Sequence, residues 1–264
     1  MTGPPRAVTV WCAPTVPVSC GSAALLTTDE AGTVGSFLRA DDRDRFATGR
    51  ALTRAVLGET LGVPPRGVDV RMGAPGGPAP GKPVVSGGPA FSVSHAGSWV
   101  LVAVVDDVGA HGVDVGVDVE AAAGVGRHLD DLAGVVPVAE RPAAGWTART
   151  LTRSWVRREA VLKAVGTGLG APRDDLLLTP PDAAPAVLCS RGALPEPTCL
   201  AVHDVELPPL GTVASEHLAA VALRSRKPHH AVIAAVTVAD GLGVLARHGV
   251  RVPPGPKARR GGRP

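Results

Sequence analysis

Polar and hydrophobic residues alternate along the middle of the chain, between Gly112 and Glu120. Four valines are separated there by polar or small residues, in the order Val113, Asp114, Val115, Gly116, Val117, Asp118, Val119 and Glu120. A period of two is typical of a β-strand that buries one face. Asp118 and Glu120 are therefore predicted to share the polar face of this strand, about 6 to 7 Å apart along it.

Short hydrophobic runs bounded by turn residues predict further strands. They occupy residues 8–11, 68–70, 91–94 and 99–105 in the first half of the chain, and 176–178, 186–189, 200–206 and 218–223 in the second. The run 99–105 has no charged residue, which indicates a fully buried strand. With the turn at Asp106 and Asp107, the strands between residues 91 and 120 are predicted to pair as β-hairpins.

Two longer segments have the period of an α-helix. Residues 39–61 place hydrophobic side chains on one stripe with arginines between them, and the pattern ends at Gly62. In the segment 152–165, Trp155, Glu159 and Lys163 are spaced four residues apart. They are therefore predicted to lie on one side of a helix, which is expected to end at Gly166.

This grouping of strands and helices predicts an α+β fold with mostly antiparallel strands. The length of 264 residues is sufficient for one large domain or two small ones. Glycine and proline are concentrated in loops and in the C-terminal segment. The basic segment 241–264 is accordingly expected to form a disordered tail.

Composition and charge exclude several classes of protein. A hydrophobic content of 45% argues against global disorder, and no apolar run reaches the length of about 18 residues that a membrane span needs. The net charge of +3 is small, and the arginine-rich segment 39–54 lacks a series of interleaved aromatic residues, which argues against nucleic-acid binding. The four cysteines have no C-x-x-C spacing, so neither a zinc site nor a disulfide framework is predicted, and a reducing cytoplasm is expected.

The candidate chemistry is that of carboxylates and a lysine. Ligand sets made only of oxygen favour Mg²⁺ or Mn²⁺ over zinc. Asp114 competes with Asp118 for a metal, because residues 112–116 nearly repeat residues 116–120, although only the second copy continues to a glutamate. The acids could equally form a solvated strand face, and Glu159 with Lys163 could form a simple surface ion pair.

Three blocks of sequence, in this order, resemble the Sfp-type 4′-phosphopantetheinyl transferase family. They are Gly81-Lys82-Pro83 followed by Phe91-Ser92-Val93-Ser94-His95, then Gly116-Val117-Asp118-Val119-Glu120, and finally the helix from Trp155 to Leu169 with its trailing Gly-x-Gly-Leu. Together they cover residues 81–170. The ordered set is more specific than any one block.

The resemblance implies a fold of two similar α+β lobes, with mostly antiparallel strands and the active site at their interface. On this basis residues 1–120 are expected to form an N-terminal lobe, residues 121–240 a C-terminal lobe and residues 241–264 the tail. A monomer is expected, because two pseudo-equivalent lobes do what two subunits would otherwise do.

The resemblance also implies an activity, the transfer of 4′-phosphopantetheine from coenzyme A to a serine of an apo acyl carrier or peptidyl carrier protein. Adenosine 3′,5′-bisphosphate is the expected second product. Catalysis is expected from Asp118, Glu159 and Lys163, and Mg²⁺ or Mn²⁺ binding from Asp118, Glu120 and Glu159. The residues expected to contact coenzyme A are Lys163, His95, Lys82, Arg50 and Arg45.

One position departs from the family pattern. Arg158 stands where the family has a lysine before the glutamate, and arginine differs from lysine in reach and hydrogen-bond geometry. A direct role of that side chain is therefore in doubt.

Two other functions stay open: a non-catalytic relative that binds coenzyme A or a nucleotide, and a metal-dependent phosphohydrolase that uses water in place of the serine. The pathway of the carrier, whether fatty acid, polyketide or nonribosomal peptide synthesis, is also open.

Overall fold

The computed structural model describes residues 6–73, 81–106, 112–126, 131, 133–209, 216–229 and 231–251. Asp107 and residues 252–264 of the predicted tail lie outside the described residues. The helices are α1 (Thr28–Ser36), α2 (Ala40–Leu61), α3 (Ala122–Gly126), α4 (Ala148–Val165) and α5 (Gly241–Arg247). The strands are β1 (Arg6–Pro14), β2 (Val70–Met72), β3 (Pro83–Val85), β4 (Phe91–Ala96), β5 (Trp99–Val105), β6 (Val113–Ala121), β7 (Leu176–Leu178), β8 (Val187–Ser190), β9 (Leu200–Val205), β10 (His217–Ser225) and β11 (Ile233–Asp240).

The strands form two larger sheets and two small pairs. The first sheet has the order β11-β1-β5-β4 and the second has the order β6-β10-β9. Only β1 and β11 pair in parallel among the described strands, and all other pairs, including β2 with β3 and β7 with β8, are antiparallel. The prediction of an α+β fold with mostly antiparallel strands is therefore confirmed.

The two larger sheets pack face to face between two long helices. Leu101 of the first sheet and Val117 of the second belong to one buried cluster, which fills the space between the sheets. Leu52 of α2 clusters with Val102 on the outer face of the first sheet, and Val161 of α4 belongs to a third cluster on the outer face of the second. Strand β5 contributes alternate residues to two clusters, which confirms that it is buried on both faces.

Helix α4 lies against strand β6 at a glycine. A Cβ atom placed on Gly116 would overlap the carbonyl oxygen of Ala160 and the amide nitrogen of Ala164. Any larger residue at position 116 would push the helix away from the strand. The glycine therefore sets the close approach that brings the polar residues of β6 beside those of α4.

Both ends of α4 are fixed by local sequence. At the first turn the hydroxyl of Thr147 accepts a hydrogen bond from the amide of Thr150 at 3.2 Å, and Thr150 bonds back to the Thr147 amide at 2.9 Å. At the last turn Gly166 adopts φ 89°, and its amide donates to the carbonyl of Leu162. The prediction that Gly166 ends the helix is confirmed, and the helix begins four residues before the predicted segment.

The predicted hairpin between β5 and β6 is wrong. Strand β4 does pair with β5, but β6 pairs with β10 in the second sheet. The valine face of β6 lies against the first sheet through side chains instead of joining its edge. Alternation in sequence reports that one face is buried, and it does not distinguish packing across a face from pairing along an edge.

The C-terminal part of the described chain also differs from the prediction. Strand β11 was not predicted, and its parallel pairing with β1 places it in the first sheet. Residues 241–247, predicted as part of the tail, form α5 instead, which buries Val244 and Leu245. Arg247 holds this helix to α2 through two hydrogen bonds with Glu59, at 3.0 and 2.8 Å.

The sheets therefore do not follow the expected division at residue 120. Strand β6 precedes that boundary and belongs to the second sheet, while β11 follows it and belongs to the first. The strand predicted at residues 68–70 is displaced to β2. None of the helices in the described part of the chain is long and apolar enough to cross a membrane.

Substitution of Gly116 by alanine is expected to destabilise the protein by about 1 to 3 kcal/mol, because the added methyl group overlaps the backbone of α4. Gly32→Ala in α1 is the matched control. A Cβ at that helical position meets nothing within 4 Å, so this substitution is expected to stabilise the protein by about 0.5 to 1 kcal/mol. Urea unfolding measures both changes, and an unchanged midpoint for Gly116→Ala would contradict the close approach.

Candidate active site

The site lies where strand β4 of the first sheet meets strand β6 of the second. The two strands share no backbone pairing, and serine side chains connect them instead. The hydroxyl of Ser92 accepts a hydrogen bond from the amide of Val117 at 3.1 Å, and that of Ser94 accepts one from the amide of Val119 at 3.3 Å. Both serines are buried, so they satisfy amide groups that would otherwise lack partners.

Asp118 is the centre of the site. Its side chain is 5% exposed, and its Oδ1 atom accepts hydrogen bonds from the Lys163 ammonium at 2.6 Å and the Ser94 hydroxyl at 2.8 Å. Lys163 also donates to the Ser94 hydroxyl at 3.1 Å. The structure thus brings together Asp118 of β6, Lys163 of α4 and Ser94 of β4.

Glu120 and Glu159 complete an acidic cluster around Asp118. Burial raises the pKa of each glutamate, the negative charge of Asp118 raises it further, and the positive charge of Lys163 partly opposes both effects. The charge of Glu120 also raises the pKa of Glu159. The electrostatic coupling shows that the strand and the helix bring their carboxylates near one another.

The donor set of this cluster fits a hard divalent cation. Two carboxylate oxygens, Oδ2 of Asp118 and Oε1 of Glu159, are buried without a hydrogen-bond partner, and such atoms are rare unless an ion or water binds them. In the described ranges no group of three or more His, Cys, Asp or Glu side chains is arranged closely enough to hold a metal ion. Metal binding by Asp118, Glu120 and Glu159 therefore stays a prediction.

The alternative ligand Asp114 belongs to a different cluster. Its carboxylate lies 3.8 Å from the Lys82 ammonium and 3.6 Å from the Arg224 guanidinium. Asp118, in contrast, lies with Ser94 and Lys163. The structure thus separates the two aspartates that the repeated sequence made equivalent.

Lys82 is buried, and its ammonium is bonded to backbone carbonyls. It is 8% exposed, and its ammonium donates to the carbonyl of Val115 at 3.2 Å and to that of Ala164 at 3.1 Å. Burial lowers the pKa of this lysine. The ammonium connects β6 to the last turn of α4, and Lys82 also lines the cavity beside Lys163. The predicted contact of Lys82 with the nucleotide of coenzyme A stays a prediction.

His95 and Arg50 line a cavity of about 210 Å³ on the α2 side of strand β4. The Arg50 guanidinium stacks over the ring of Phe46, with 5.3 Å between its Cζ atom and the ring centroid. Desolvation lowers the pKa of His95, and the positive charges of Arg45, Lys163 and Arg50 lower it further. The cavity is therefore electropositive and suits a phosphate.

Arg45 lies beside this cavity and is held by two contacts. Its guanidinium donates to the carbonyl of Gly97 at 3.2 Å and to the carboxylate of Asp42 at 3.0 Å. The positive charge of Arg45 lowers the pKa of His95. Arg45 therefore contributes to the positive potential near the ring.

A second cavity, of about 440 Å³, lies next to the first along β4. Lys163 and Gly166 line it from helix α4. The two cavities share Pro83, Phe91 and Val93 as lining residues. The two cavities therefore adjoin one another, and we refer to them together as the groove. Lys163, which lines the second cavity, bonds Asp118 of the acidic cluster, and a diphosphate-containing ligand could extend along the groove.

Arg158 packs away from this groove. It is 4% exposed, and it donates to the Glu140 carboxylate at 2.5 Å and to the carbonyls of Leu176 at 2.7 Å and Arg173 at 3.1 Å. Glu140 is fully buried and also accepts from the amide of Leu178 at 2.9 Å. The arginine thus fastens α4 to the segment before β7, and its role beside Glu159 is one of support.

Two contributors to the site, Glu140 and Ser94, were not predicted from the sequence. Glu140 lies in a segment of weak pattern, so no local signal marked it. Ser94 belongs to the block of residues 91–95, in which serines alternate with larger residues. This alternation is a signal that Ser92 and Ser94 share one face of the strand.

Comparison with known proteins agrees with the blocks of sequence. No protein-family model matches the chain. The chain is 28% identical over 197 residues to a curated protein of Nostoc sp. (strain PCC 7120), the 4′-phosphopantetheinyl transferase HetI. The match covers 69% of this chain and 79% of that protein. The ordered blocks and this match agree, so the resemblance of the chain to 4′-phosphopantetheinyl transferases, which are transferase enzymes, is confirmed.

Proposed function

We propose that the protein transfers 4′-phosphopantetheine from coenzyme A to a serine hydroxyl of an apo acyl carrier or peptidyl carrier protein, in a reaction that depends on Mg²⁺. The observation that most supports this function is the cluster of Asp118, Glu159 and Lys163 beside a groove with basic residues. The name of the relative in Nostoc, a 4′-phosphopantetheinyl transferase, supports the same chemistry.

The reaction breaks the diphosphate bond of coenzyme A. The serine oxygen of the carrier forms a bond to the phosphorus that bears pantetheine, and the bond from that phosphorus to the bridging oxygen breaks. Adenosine 3′,5′-bisphosphate leaves with the electron pair. The serine proton passes to a carboxylate, and we assign this role to Glu159, whose raised pKa makes it a better proton acceptor than an ordinary glutamate.

Asp118, Glu120 and Glu159 would hold the metal. When bound, Mg²⁺ supplies positive charge that offsets the charge developing on the diphosphate. Lys163 lines the groove and adds an ammonium beside the same position. His95, Arg50 and Arg45 provide the electropositive cavity at the other end, where we place the nucleotide and its 3′-phosphate.

We also propose that the protein is a monomer and that it acts in the cytoplasm. One chain provides both sheets and both helices around the groove. All four cysteines are free, which is compatible with a reducing compartment. Mn²⁺ is expected to replace Mg²⁺, since both prefer oxygen ligands.

The activity is tested by incubating the protein with coenzyme A, Mg²⁺ and a panel of apo carrier domains from fatty acid, polyketide and nonribosomal peptide synthesis. Mass spectrometry is expected to show one added phosphopantetheine arm on at least one carrier. No addition to any carrier, with binding of coenzyme A, would favour a non-catalytic relative. Release of phosphopantetheine without a carrier would favour a phosphohydrolase.

Replacement of Glu159 by alanine is expected to lower the rate of transfer by about 10² to 10⁴-fold, because it removes both the proton acceptor and a metal ligand. Coenzyme A binding is expected to persist, since Lys163 and the basic cavity are unchanged. Glu206→Ala is the control, because this exposed glutamate follows β9, at the opposite edge of the second sheet from β6. Unchanged transfer by Glu159→Ala would contradict the assignment.

The pH dependence follows from the raised pKa of Glu120 and Glu159. A raised pKa keeps these groups protonated at higher pH, and both metal binding and proton acceptance need the ionised form. The value of kcat/KM is therefore expected to rise as the pH increases through the raised pKa and then to level off. Mg²⁺ affinity is expected to fall as the pH is lowered through the same range. A Mg²⁺ affinity that is independent of pH would contradict this prediction.

The raised pKa of Glu159 also affects the stability of the folded protein, by an amount that depends on pH. A carboxyl group with a raised pKa in the folded state destabilises that state once it ionises, so the loss develops as the pH rises from the unfolded value, about 4.3, through the raised value. Without divalent cations, Glu159→Gln is therefore expected to melt at a higher temperature than the original protein at pH 7.5. Glu206→Gln is the control, and a lower melting temperature for Glu159→Gln would contradict the expectation.

A further inference from the structure

The hydroxyl of Ser94 makes contacts with three structural elements. It donates to Asp118 of β6 at 2.8 Å, and it accepts from Lys163 of α4 at 3.1 Å and from the amide of Val119 at 3.3 Å. A serine hydroxyl has one donor and two acceptor positions, so its hydrogen-bonding capacity is fully used. The side chain belongs to β4 and is 7% exposed as a residue.

These contacts determine which oxygen of Asp118 is available. The Oδ1 atom accepts from both Ser94 and Lys163, while the buried Oδ2 atom has no hydrogen-bond partner. Rotation of the carboxylate would break two charge-assisted hydrogen bonds, which are stronger than neutral ones. The carboxylate is therefore held with Oδ1 committed to the protein and Oδ2 left for a ligand.

We infer that Ser94 is a positioning residue, which orients Asp118 toward a divalent cation and holds Lys163 at the edge of the groove. The inference rests on the proposed function, because it assigns Asp118 to Mg²⁺ and Lys163 to the diphosphate. One hydroxyl thus fixes the relative positions of a metal ligand and a phosphate-binding ammonium. Such support from outside the ligand set commonly tunes metal affinity.

Ser92 provides a matched comparison within the same strand. It lies two residues from Ser94 on the same face of β4, is 5% exposed, and its hydroxyl accepts from the amide of Val117 at 3.1 Å. Both serines therefore join the two sheets through a buried hydrogen bond. Of these two serine hydroxyls, only that of Ser94 also forms hydrogen bonds with both Asp118 and Lys163.

The experiment measures Mg²⁺ binding by calorimetry, on the full chain with coenzyme A present and no carrier, for Ser94→Ala and Ser92→Ala. The Ser94→Ala variant is expected to bind Mg²⁺ about 10 to 100-fold more weakly, the effect of losing a hydrogen bond to a charged group. The Ser92→Ala variant is expected to melt at a lower temperature but to keep its Mg²⁺ affinity within about twofold. In transfer assays, Ser94→Ala is expected to raise the Mg²⁺ concentration for half-maximal rate more than it lowers kcat.

Equal Mg²⁺ affinities for the two variants would overturn the inference, because a purely structural role affects both serines alike. A protein with its original sequence that binds coenzyme A but no Mg²⁺ would overturn the metal dependence of the proposed function and this inference together. If Ser94→Ala does not fold, Ser94→Cys keeps the volume and weakens the hydrogen bonds. That variant is expected to bind Mg²⁺ several-fold more weakly, and an unchanged affinity would overturn the inference.

Discussion

Helix α4 lies directly on strand β6, and the arrangement of the site depends on that contact. Gly116 permits it, because any Cβ at this position would overlap the backbone of Ala160 and Ala164. The approach brings Lys163 within 2.6 Å of Asp118 and places Glu159 beside the same carboxylate. Lys82 holds the contact on the other side by donating to the carbonyls of Val115 and Ala164. A buried backbone contact thus determines the geometry of charged side chains.

The site concentrates negative charge where water is partly excluded. Burial and mutual repulsion raise the pKa of Glu120 and Glu159, and the ammonium of Lys163 offsets only part of this effect. Groups held in this way cost folding stability, and their retention is typical of sites that bind ions or transfer protons. Arg158 illustrates the contrast, because its buried charge is paired with Glu140 and bonded to two carbonyls, and it supports the helix from the other side.

Much of the fold could be predicted from periodicity, because a buried face imposes its pattern on the sequence. The all-hydrophobic segment Trp99–Val105 and the alternating residues of β6 were identified correctly for this reason. Strand β11 and helix α5 were not, since residues 241–247 have no strong helical pattern and most residues of β11 are not buried. The pairing of β6 with β10 was also missed, because residues about 100 positions apart leave no local trace of their contact.

The amino-acid sequence alone indicated the candidate residues for the chemistry and showed which of them share a strand or a helix face. Asp118 with Glu120, and Glu159 with Lys163, follow from periods of two and of about 3.6 residues, which are properties of the backbone. Only the folded structure shows that Asp118, and not Asp114, lies with Lys163, that Lys82 supports the helix, and that Ser94 joins three elements. Those outcomes depend on how sheets and helices pack across long separations in sequence, and the free energy of such packing is not encoded in any single segment.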